Sequence, residues 1–584
     1  MYYKDAEPKE TIERIHNLLQ SFDISINEII LESIDGIFSV IINISNTSIA
    51  ANGKGTTLDF AKASAYGELV ERLQNFLHFR LFDMHELSDC NVKKYYKNDV
   101  YVKEEHEINR INGWASLVFD NHMIKTLHDF IYNSKHKSSR LLSRFVNIEN
   151  DKDLILVPYT LLDYYYGSNG MASGNTIDEA LVQAFSEVVE RFTAKKIIIG
   201  SSDIKISNIT PAIINQFEDI NNYIQILSEN NIEAVFLDCS QENLFPVIGT
   251  LFFDRTNLNY FINFGCHPDL HTAITRSITE FLQGRNVEKL HDMTSFYSDF
   301  KNMDKNLNIS SIFYNGTGTF PLELFFAPET DLIPTIWEKR YENNSEMVKF
   351  YQEVFLKLNK KVYVADRGFL GFQTINLLIP GFSEVALTDT IEELKIIELI
   401  KKTNKTYMRL SSGEYKKQDL IEIREFWNSS YISDYTSILS IIRIPLLIKP
   451  DKNMELVNKY YINMGISILL EDYTEAYFYA MKWLETNHNY KDYPIYDYVV
   501  SITSILYLIN SKYNTNQIQD FIKNYGAEDF LQESWCDIID KNIKNLFVLI
   551  PCYNCNECDF FGECRIDNET NLLLNLLTHS CIKS

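Results

Sequence analysis

Short apolar runs of period two alternate with longer stretches of helical period over residues 1 to about 385. Residues 38–42, 247–253 and 361–365 are rich in β-branched and aromatic side chains and predict strands. Beyond about residue 386 the pattern turns helical, with stretches such as 474–486 and 498–510 that predict paired helices packing on their neighbours. Residues 135–144, rich in Lys, Ser and Arg, predict a solvated loop. At 584 residues the chain is too long for one core, so two or more domains are expected.

The most informative pattern is an internal repeat. Laid against residues 174–191, residues 55–72 match at nine of eighteen positions, among them the pairs Glu68/Glu187, Glu71/Glu190 and Arg72/Arg191. A degraded third copy keeps Ala273, Ser277, Glu280 and Gln283 at the same spacing, with Arg285 two residues further on. Within each copy the acidic positions are three apart and share one helix face. Small residues three positions earlier (Ala65, Ala184, Ser277) predict that such helices approach one another closely.

Gathered carboxylates raise one another's pKa, a cost that a hard divalent cation removes. Mg²⁺ takes oxygen ligands and commonly shares them between carboxylates and substrate phosphates, and Arg72, Arg191 and Arg285 supply matching charge for phosphate oxygens. One Glu-x-x-Glu-Arg motif would be read as the decoration of a solvated helix; its repetition with matched flanks reverses that reading. A Walker loop is excluded, because Ser48 and Gly55 stand where it needs Gly and Ser or Thr. Gly53 and Gly55 are expected to form a tight turn before the first acid-rich helix, and His267, with no metal-spaced partner, to serve a turn.

Composition narrows the function classes. Hydrophobic residues at 45% and charged residues at 23% describe an ordinary globular protein. A net charge of −24 repels bulk nucleic acid, so no direct nucleic-acid partner is expected. No apolar run reaches membrane-spanning length, and the first residues carry charge at once without a signal core. Nine cysteines without an export signal predict a reducing cytoplasm. Cys90, Cys239, Cys266 and Cys536 are isolated and are expected to be buried. Cys552, Cys555, Cys558 and Cys564 are closely spaced and predict one metal centre, an iron–sulfur cluster or Zn²⁺.

The chain resembles the YcaO family. The resemblance is carried by Gly53-Lys54-Gly55 with Glu68, Glu71 and Arg72, and by the segment from Ser168 through Asn169 and Asn175 to Thr176 with Glu187, Glu190 and Arg191. The third part is Gly265 to Asp269 with Glu280, Gln283 and Arg285. It covers roughly residues 1–385 and continues more loosely into the helical region, closest to the family's name-giving member. It implies an α+β fold of repeated strand–helix units over 1–385, an all-α tetratricopeptide-like region over 386–550 and a Cys-rich tail over 551–584.

The resemblance further implies ATP and Mg²⁺ as cofactors. Glu68, Glu71, Glu187 and Glu190 would hold the metal, and Arg191 and Arg285 would meet phosphates, beside the Arg72 that spacing already offers. Lys4, Thr11, Asn169, Asn175, Glu280 and Gln283 would complete the nucleotide site. Family members use ATP to phosphorylate a backbone amide oxygen, the route to azolines and thioamides. Azoline-forming members commonly end in a proline-rich segment, whereas this sequence ends Leu576-Leu577-Thr578-His579-Ser580-Cys581-Ile582-Lys583-Ser584 and shows no obvious peptide-clamp domain. The expected role is therefore that of an accessory factor for β-methylthiolation of a small-subunit ribosomal protein, with that client and its radical methylthiotransferase as partners. A stand-alone cyclodehydratase or thioamide-forming enzyme and a non-catalytic docking scaffold are the alternatives, and a homodimer is left open.

Overall fold

The computed structural model describes residues 4–31, 37–77, 96–133, 140–200, 205–241, 244–281, 318–331, 334–386, 413–429, 456–525, 530–547 and 566–583, with isolated positions between 283 and 313 and between 403 and 453. The chain divides into two compact units. One comprises residues 1–83, 88–390 and 569–584, the other residues 84–87 and 391–568.

The first unit mixes strands and helices in three sheets. An antiparallel meander joins β1 (Ile26–Leu31), β2 (Phe38–Ile44) and β3 (Ala50–Gly55). A second sheet runs in the order β4 (Val100–Tyr101), β5 (Leu141–Asn147), β14 (Tyr363–Asp366), β15 (Gln373–Leu378) and β7 (Met171–Gly174), with β6 (Asn150–Pro158) paired to β5. The third contains β8 (Ser207–Ile209), β9 (Ile232–Asp238), β10 (Val247–Asp254), β11 (Asn259–Cys266), β12 (Thr294–Ser295) and β13 (Glu329–Thr330), with β13 parallel to β8 at one edge. The strands expected at 38–42, 247–253 and 361–365 fall on β2, β10 and β14. The solvated loop expected at 135–144 is partly overturned: Leu141 to Arg144 lie in β5, because Leu141, Leu142 and the following Phe145 are buried in the sheet's packing. Tertiary burial here outweighs the polar neighbours.

Helices α1 (Pro8–Ser21), α2 (Leu58–Gln74), α3 (Ile177–Ile198), α4 (Leu270–Phe281) and α5 (Asn344–Lys357) cover these sheets. Helix α3 is buried on most of its circumference, which explains its weak amphipathicity. Phe185, Val188 and Val189 pack in one core with Met347, Tyr351 and Phe355 of α5, Ile375 and Leu377 of β15, and Val247 of β10. At Gly170 the chain takes φ +84°, and an added Cβ would lie 2.0 Å from the Leu377 carbonyl oxygen. Only glycine lets that backbone meet β15, where Leu377 N–H donates to the Gly170 carbonyl at 2.7 Å.

In the second unit the regular elements among the described residues are all helices, including α6 (Lys459–Leu469), α7 (Tyr473–Thr486) and α8 (Pro494–Asn510). The expected stretches at 474–486 and 498–510 correspond to α7 and α8; α8 begins a turn earlier because Pro494 is suited to the first helical turn. Trp427, Tyr461, Trp483 and Leu506 are fully buried in its core. Among the described residues, no helix is long and apolar enough to cross a membrane.

The last helix, α9 (Ile566–Lys583), belongs from Glu569 onward to the first unit. Leu573, Leu576 and Leu577 join a core with Ile15 and Leu19 of α1, Val40 and Ile42 of β2, and Leu69 and Leu73 of α2. The buried Glu569 carboxylate accepts hydrogen bonds from the Ser48 N–H at 2.7 Å and the Ser48 hydroxyl at 2.6 Å. Because Leu576 is fully buried, Leu576→Ala is expected to cost about 2–5 kcal/mol, read by urea unfolding followed at the first unit. A cost no larger than a surface substitution would show that α9 does not dock.

Candidate active site

Three strand–helix units build the site: β3–α2, β7–α3 and β11–α4. The helices start alike. Thr57 and Thr176 accept backbone N–H bonds from Phe60 at 3.3 Å and Glu179 at 3.1 Å, and Asp269 accepts from Thr272 at 2.9 Å in the equivalent place. The expected turn at Gly53-Lys54-Gly55 is instead the end of strand β3. Its glycine has a packing reason: a Cβ on Gly53 would lie 2.1 Å from the Ala61 carbonyl oxygen, and one on Gly265 of β11 would lie 2.1 Å from that of Ala273. The small residues therefore do something other than expected. Ala65 and Ser277 admit the backbone of their own strand, their N atoms lying 2.3 and 2.6 Å from those same Cβ positions.

Each helix also packs against the strand of another unit: α2 on β7, α3 on β11 and α4 on β3, so the units close into a ring. Ser173 of β7 donates to the Gly67 carbonyl at 2.9 Å, Cys266 N–H of β11 donates to the Glu190 carboxylate at 3.2 Å, and the Gln283 amide, just beyond α4, donates to the Asn52 carbonyl of β3 at 3.3 Å.

Cations stand among the carboxylates of this ring. Arg72 meets Glu68 at 3.4 Å and Glu71 at 3.5 Å, and its Nη1 is buried without a hydrogen-bond partner. Arg191 meets Glu187 at 2.9 Å and lies over the Phe313 ring. Lys54 forms an ion pair with Glu280. Arg276 donates to the Gln183 side chain at 2.6 Å and to the Cys266 carbonyl at 3.0 Å. Burial, which Arg72 opposes and Glu187 and Glu68 reinforce, pushes the Glu71 carboxyl up to about 8. Burial likewise pushes Glu190 up to about 7 in spite of Lys54 and Arg276, and pulls Lys54 down to about 8 against the attraction of Glu190.

A second cluster clamps residues 4–14 onto the start of α3. Lys4 pairs with Glu179 at 3.1 Å, and Asp5 N–H donates to the same carboxylate at 3.1 Å. Thr176 donates its hydroxyl to Asp5, and the Asn344 amide donates to Asp5 at 2.9 Å. Thr11 donates to the Asn175 side chain at 3.1 Å, and Arg14 to the Asn175 carbonyl at 3.3 Å. Burial works against the Glu179 charge, but Lys4, the Asp5 N–H and the Asn175 amide together hold that carboxyl below its usual range.

The expected residues thus fall into two groups, Glu68, Glu71, Arg72, Glu187, Glu190, Arg191, Glu280 and Gln283 on the ring and Lys4, Thr11 and Asn175 at the clamp. Asn169 lies elsewhere, enclosed in the core with its amide donating to the Ser383 carbonyl at 2.6 Å. Arg285, Cys90 and Cys552, Cys555, Cys558 and Cys564 lie outside the described residues. Cys239 and Cys266 are buried as expected, whereas Cys536 is exposed on a helix of the second unit. His267 serves its turn, accepting from Asp269 N–H at 3.0 Å. Lys54, Arg276, Glu179 and Asp5 were not singled out from sequence for chemistry. Lys54 had a signal in its Gly-Lys-Gly setting, and Glu179 in the Thr-x-x-Glu helix start.

Among the described residues, no three His, Cys, Asp or Glu side chains converge into a metal cage of their own. Mg²⁺ asks for less, since one or two carboxylates suffice when phosphates supply further oxygens. The donor set here fits that demand: carboxylate oxygens whose charge burial disfavours, beside a guanidinium with a free buried N–H. Chemically, the arrangement is suited to a polyphosphate and a hard cation held on helix flanks.

Comparison with known proteins agrees with that class. The family model described as YcaO cyclodehydratase, ATP- and Mg²⁺-binding, matches residues 52–383, more than half of the sequence. The chain belongs to the YcaO family. It is 26% identical over 446 residues to the ribosomal protein S12 methylthiotransferase accessory factor YcaO of Escherichia coli (strain K12), covering 75% of each protein. Among solved structures, YcaO from Methanopyrus kandleri bound with AMPPCP and Mg²⁺ is similar over 65% of this chain and 92% of its own, with 16% identity and a TM-score of 0.42. A heterocyclase in complex with substrate and cofactor is similar over 65% of this chain at 18% identity and a TM-score of 0.44; that match spans about half, 53%, of the heterocyclase's length.

The burial of Glu71 has a measurable consequence in the ligand-free protein. Its folded-state pKa, about 8, lies above the ordinary 4.5. Between those values the unfolded chain has released the proton while the folded one keeps it, so stability falls as pH rises through that window. At about 1.4 kcal/mol per pKa unit, Glu71→Gln is expected to stabilise the ligand-free protein by a few kcal/mol above pH 8 and by little below pH 4.5. Urea unfolding across that range reads the difference. A pH-independent difference would show that Glu71 is not buried as described.

Proposed function

We propose that the ring binds ATP with Mg²⁺ and that the protein uses them to activate a backbone amide, as an accessory factor in β-methylthiolation of a small-subunit ribosomal protein. The ring carries the first half of this reading: repeated helices bring Glu68 and Glu71 into the same charge cluster as Glu187, beside guanidinium groups suited to phosphate. The likeness to the Escherichia coli accessory factor over three quarters of both chains supports the second half.

In this reading the cation is held among Glu68, Glu71, Glu187 and Glu190, sharing its coordination with nucleotide phosphates so that one or two carboxylates suffice at a time, and Arg72, Arg191 and Arg285 meet phosphate oxygens. Glu280 and Gln283 line the α4 side, and Lys4, Thr11 and Asn175 reach the nucleotide from the clamp. Mg²⁺, when bound, supplies neutralisation of phosphate charge. The chain's own part is to orient these oxygens and guanidinium groups before the ligand arrives, so little reorganisation remains for the reaction. The all-helical second unit is read as a tetratricopeptide-like docking surface. Its helices expose Phe478 and Met481 on α7 and Tyr507 on α8, side chains of the kind that anchor protein interfaces. A net charge of −24 suits a basic ribosomal client.

Two experiments test the halves separately. Calorimetric titration should show ATP binding that requires Mg²⁺ and is lost in Glu187→Gln and Glu190→Gln, while Glu323→Gln, at an exposed position, leaves it unchanged. Unaltered affinity in both ring variants would remove these residues from the site. For the role, the gene is deleted and the ribosomal proteins are weighed by mass spectrometry. Loss of the methylthio increment, restored by the intact gene but not by a Glu190→Gln copy, is the expected outcome. An undiminished modification would return azoline or thioamide formation to first place.

A further inference from the structure

Lys54 differs from the other cations of the ring. It stands on β3 at the position where β7 and β11 carry the uncharged Ser173 and Cys266. Arg72 and Arg191 turn back to carboxylates of their own helices. Lys54 instead pairs with Glu280 of α4, and it feels the charges of Glu190 and Glu187 of α3 and of Glu68 of α2. One ammonium group therefore serves carboxylates from all three helices.

An ammonium and a divalent cation compete for the same oxygen atoms. A cation arriving alone takes over the charge of Glu190, Glu187 and Glu68 that now steadies Lys54, leaving that ammonium near Arg276 with Glu280 alone to offset it. A nucleotide removes that penalty, because its phosphates give Mg²⁺ further ligands and Lys54 a new anion. Resting on the reading of the ring as an ATP and Mg²⁺ site, we propose that Lys54 is a built-in counter-cation that holds the carboxylates together without ligand. It thereby makes the ring take Mg²⁺ together with nucleotide and only weakly by itself. By linkage, this side chain then adds to the coupling between metal and nucleotide that the phosphates supply directly.

The test titrates Mg²⁺ alone, and Mg²⁺ with ATP, into the full-length wild type, Lys54→Met and Lys54→Arg by calorimetry, with thermal unfolding in EDTA and in MgCl₂ beside it. Lys54→Met is expected to bind Mg²⁺ alone at least tenfold more tightly than the wild type. Its unfolding midpoint should fall in EDTA and rise further than the wild type's on adding MgCl₂, whereas Lys54→Arg should behave like the wild type. If Lys54→Met does not fold even with Mg²⁺, Lys54→Gln is titrated in its place against the same criterion. Wild type that binds Mg²⁺ with ATP, beside a variant whose affinity for Mg²⁺ alone is unchanged or weaker, overturns the proposal and leaves the site reading standing. Wild type that does not bind Mg²⁺ with ATP overturns both.

Discussion

Carboxylates drawn from different helices repel one another, and the ring is built around compensating that repulsion. Glu71 and Glu190 are buried enough that their charged forms are disfavoured, yet each lies beside a cation, Arg72 in one case and Lys54 with Arg276 in the other. Pairing lowers the repulsion without discharging the acids permanently, which a site for a removable cation requires. An apolar core in the same place would be more stable and inert. The strand–helix contacts then serve a purpose beyond packing. Gly53 and Gly265 let each strand lie directly on its helix, which fixes where the acid-bearing turns emerge.

The repeat explains how such a ring can close. Three copies of one strand–helix unit, each with its helix on its own strand and on the strand of another unit, return to the starting point after three steps. The copies have diverged at particular positions. Where the first two carry Glu71 and Glu190, the third carries Gln283, whose amide donates to the Asn52 carbonyl, a bond that a carboxylate could not make. Where the second and third carry Ser173 and Cys266, the first carries Lys54. Beside the other copies, the third thus has a neutral donor where they have an acid and the first a cation where they have a neutral group, and both differences reduce the excess of negative charge.

This is also why the ring was largely legible in sequence and its closure was not. Spacing of three puts Glu68 and Glu71, or Glu187 and Glu190, on one face of any helix, so the acid pairs can be read without a fold. Which surface the small residues Ala65 and Ser277 meet depends on tertiary contact, and the approaching surface proved to be their own strand. The turn assigned to Gly53 and Gly55 failed for a related reason. Glycine signals either an unusual φ or the absence of a Cβ, and local sequence does not separate the two. The charged surroundings of Leu141 to Arg144 point to a loop, while the buried Leu141 and Leu142 pair with Tyr101 and Val100 of β4, a strand that only the fold brings alongside.

Least legible of all was the return of α9. Its leucines have helical spacing, and nothing in residues 566–583 states which core they complete. The destination is set by complementarity: α1, β2 and α2 leave an apolar surface around Ile15, Leu19, Val40 and Leu69 that Leu573, Leu576 and Leu577 fill. The polar anchor follows from the same docking, because a buried carboxylate at Glu569 is tolerable only if donors meet it, and the Ser48 N–H and hydroxyl do so. Helix α2 thereby shares one apolar core with α9, to which it contributes Leu69 and Leu73, while it also carries the ring acids Glu68 and Glu71. The position of half the carboxylates in the first two units is in this way tied to the packing of a segment some five hundred residues away in sequence.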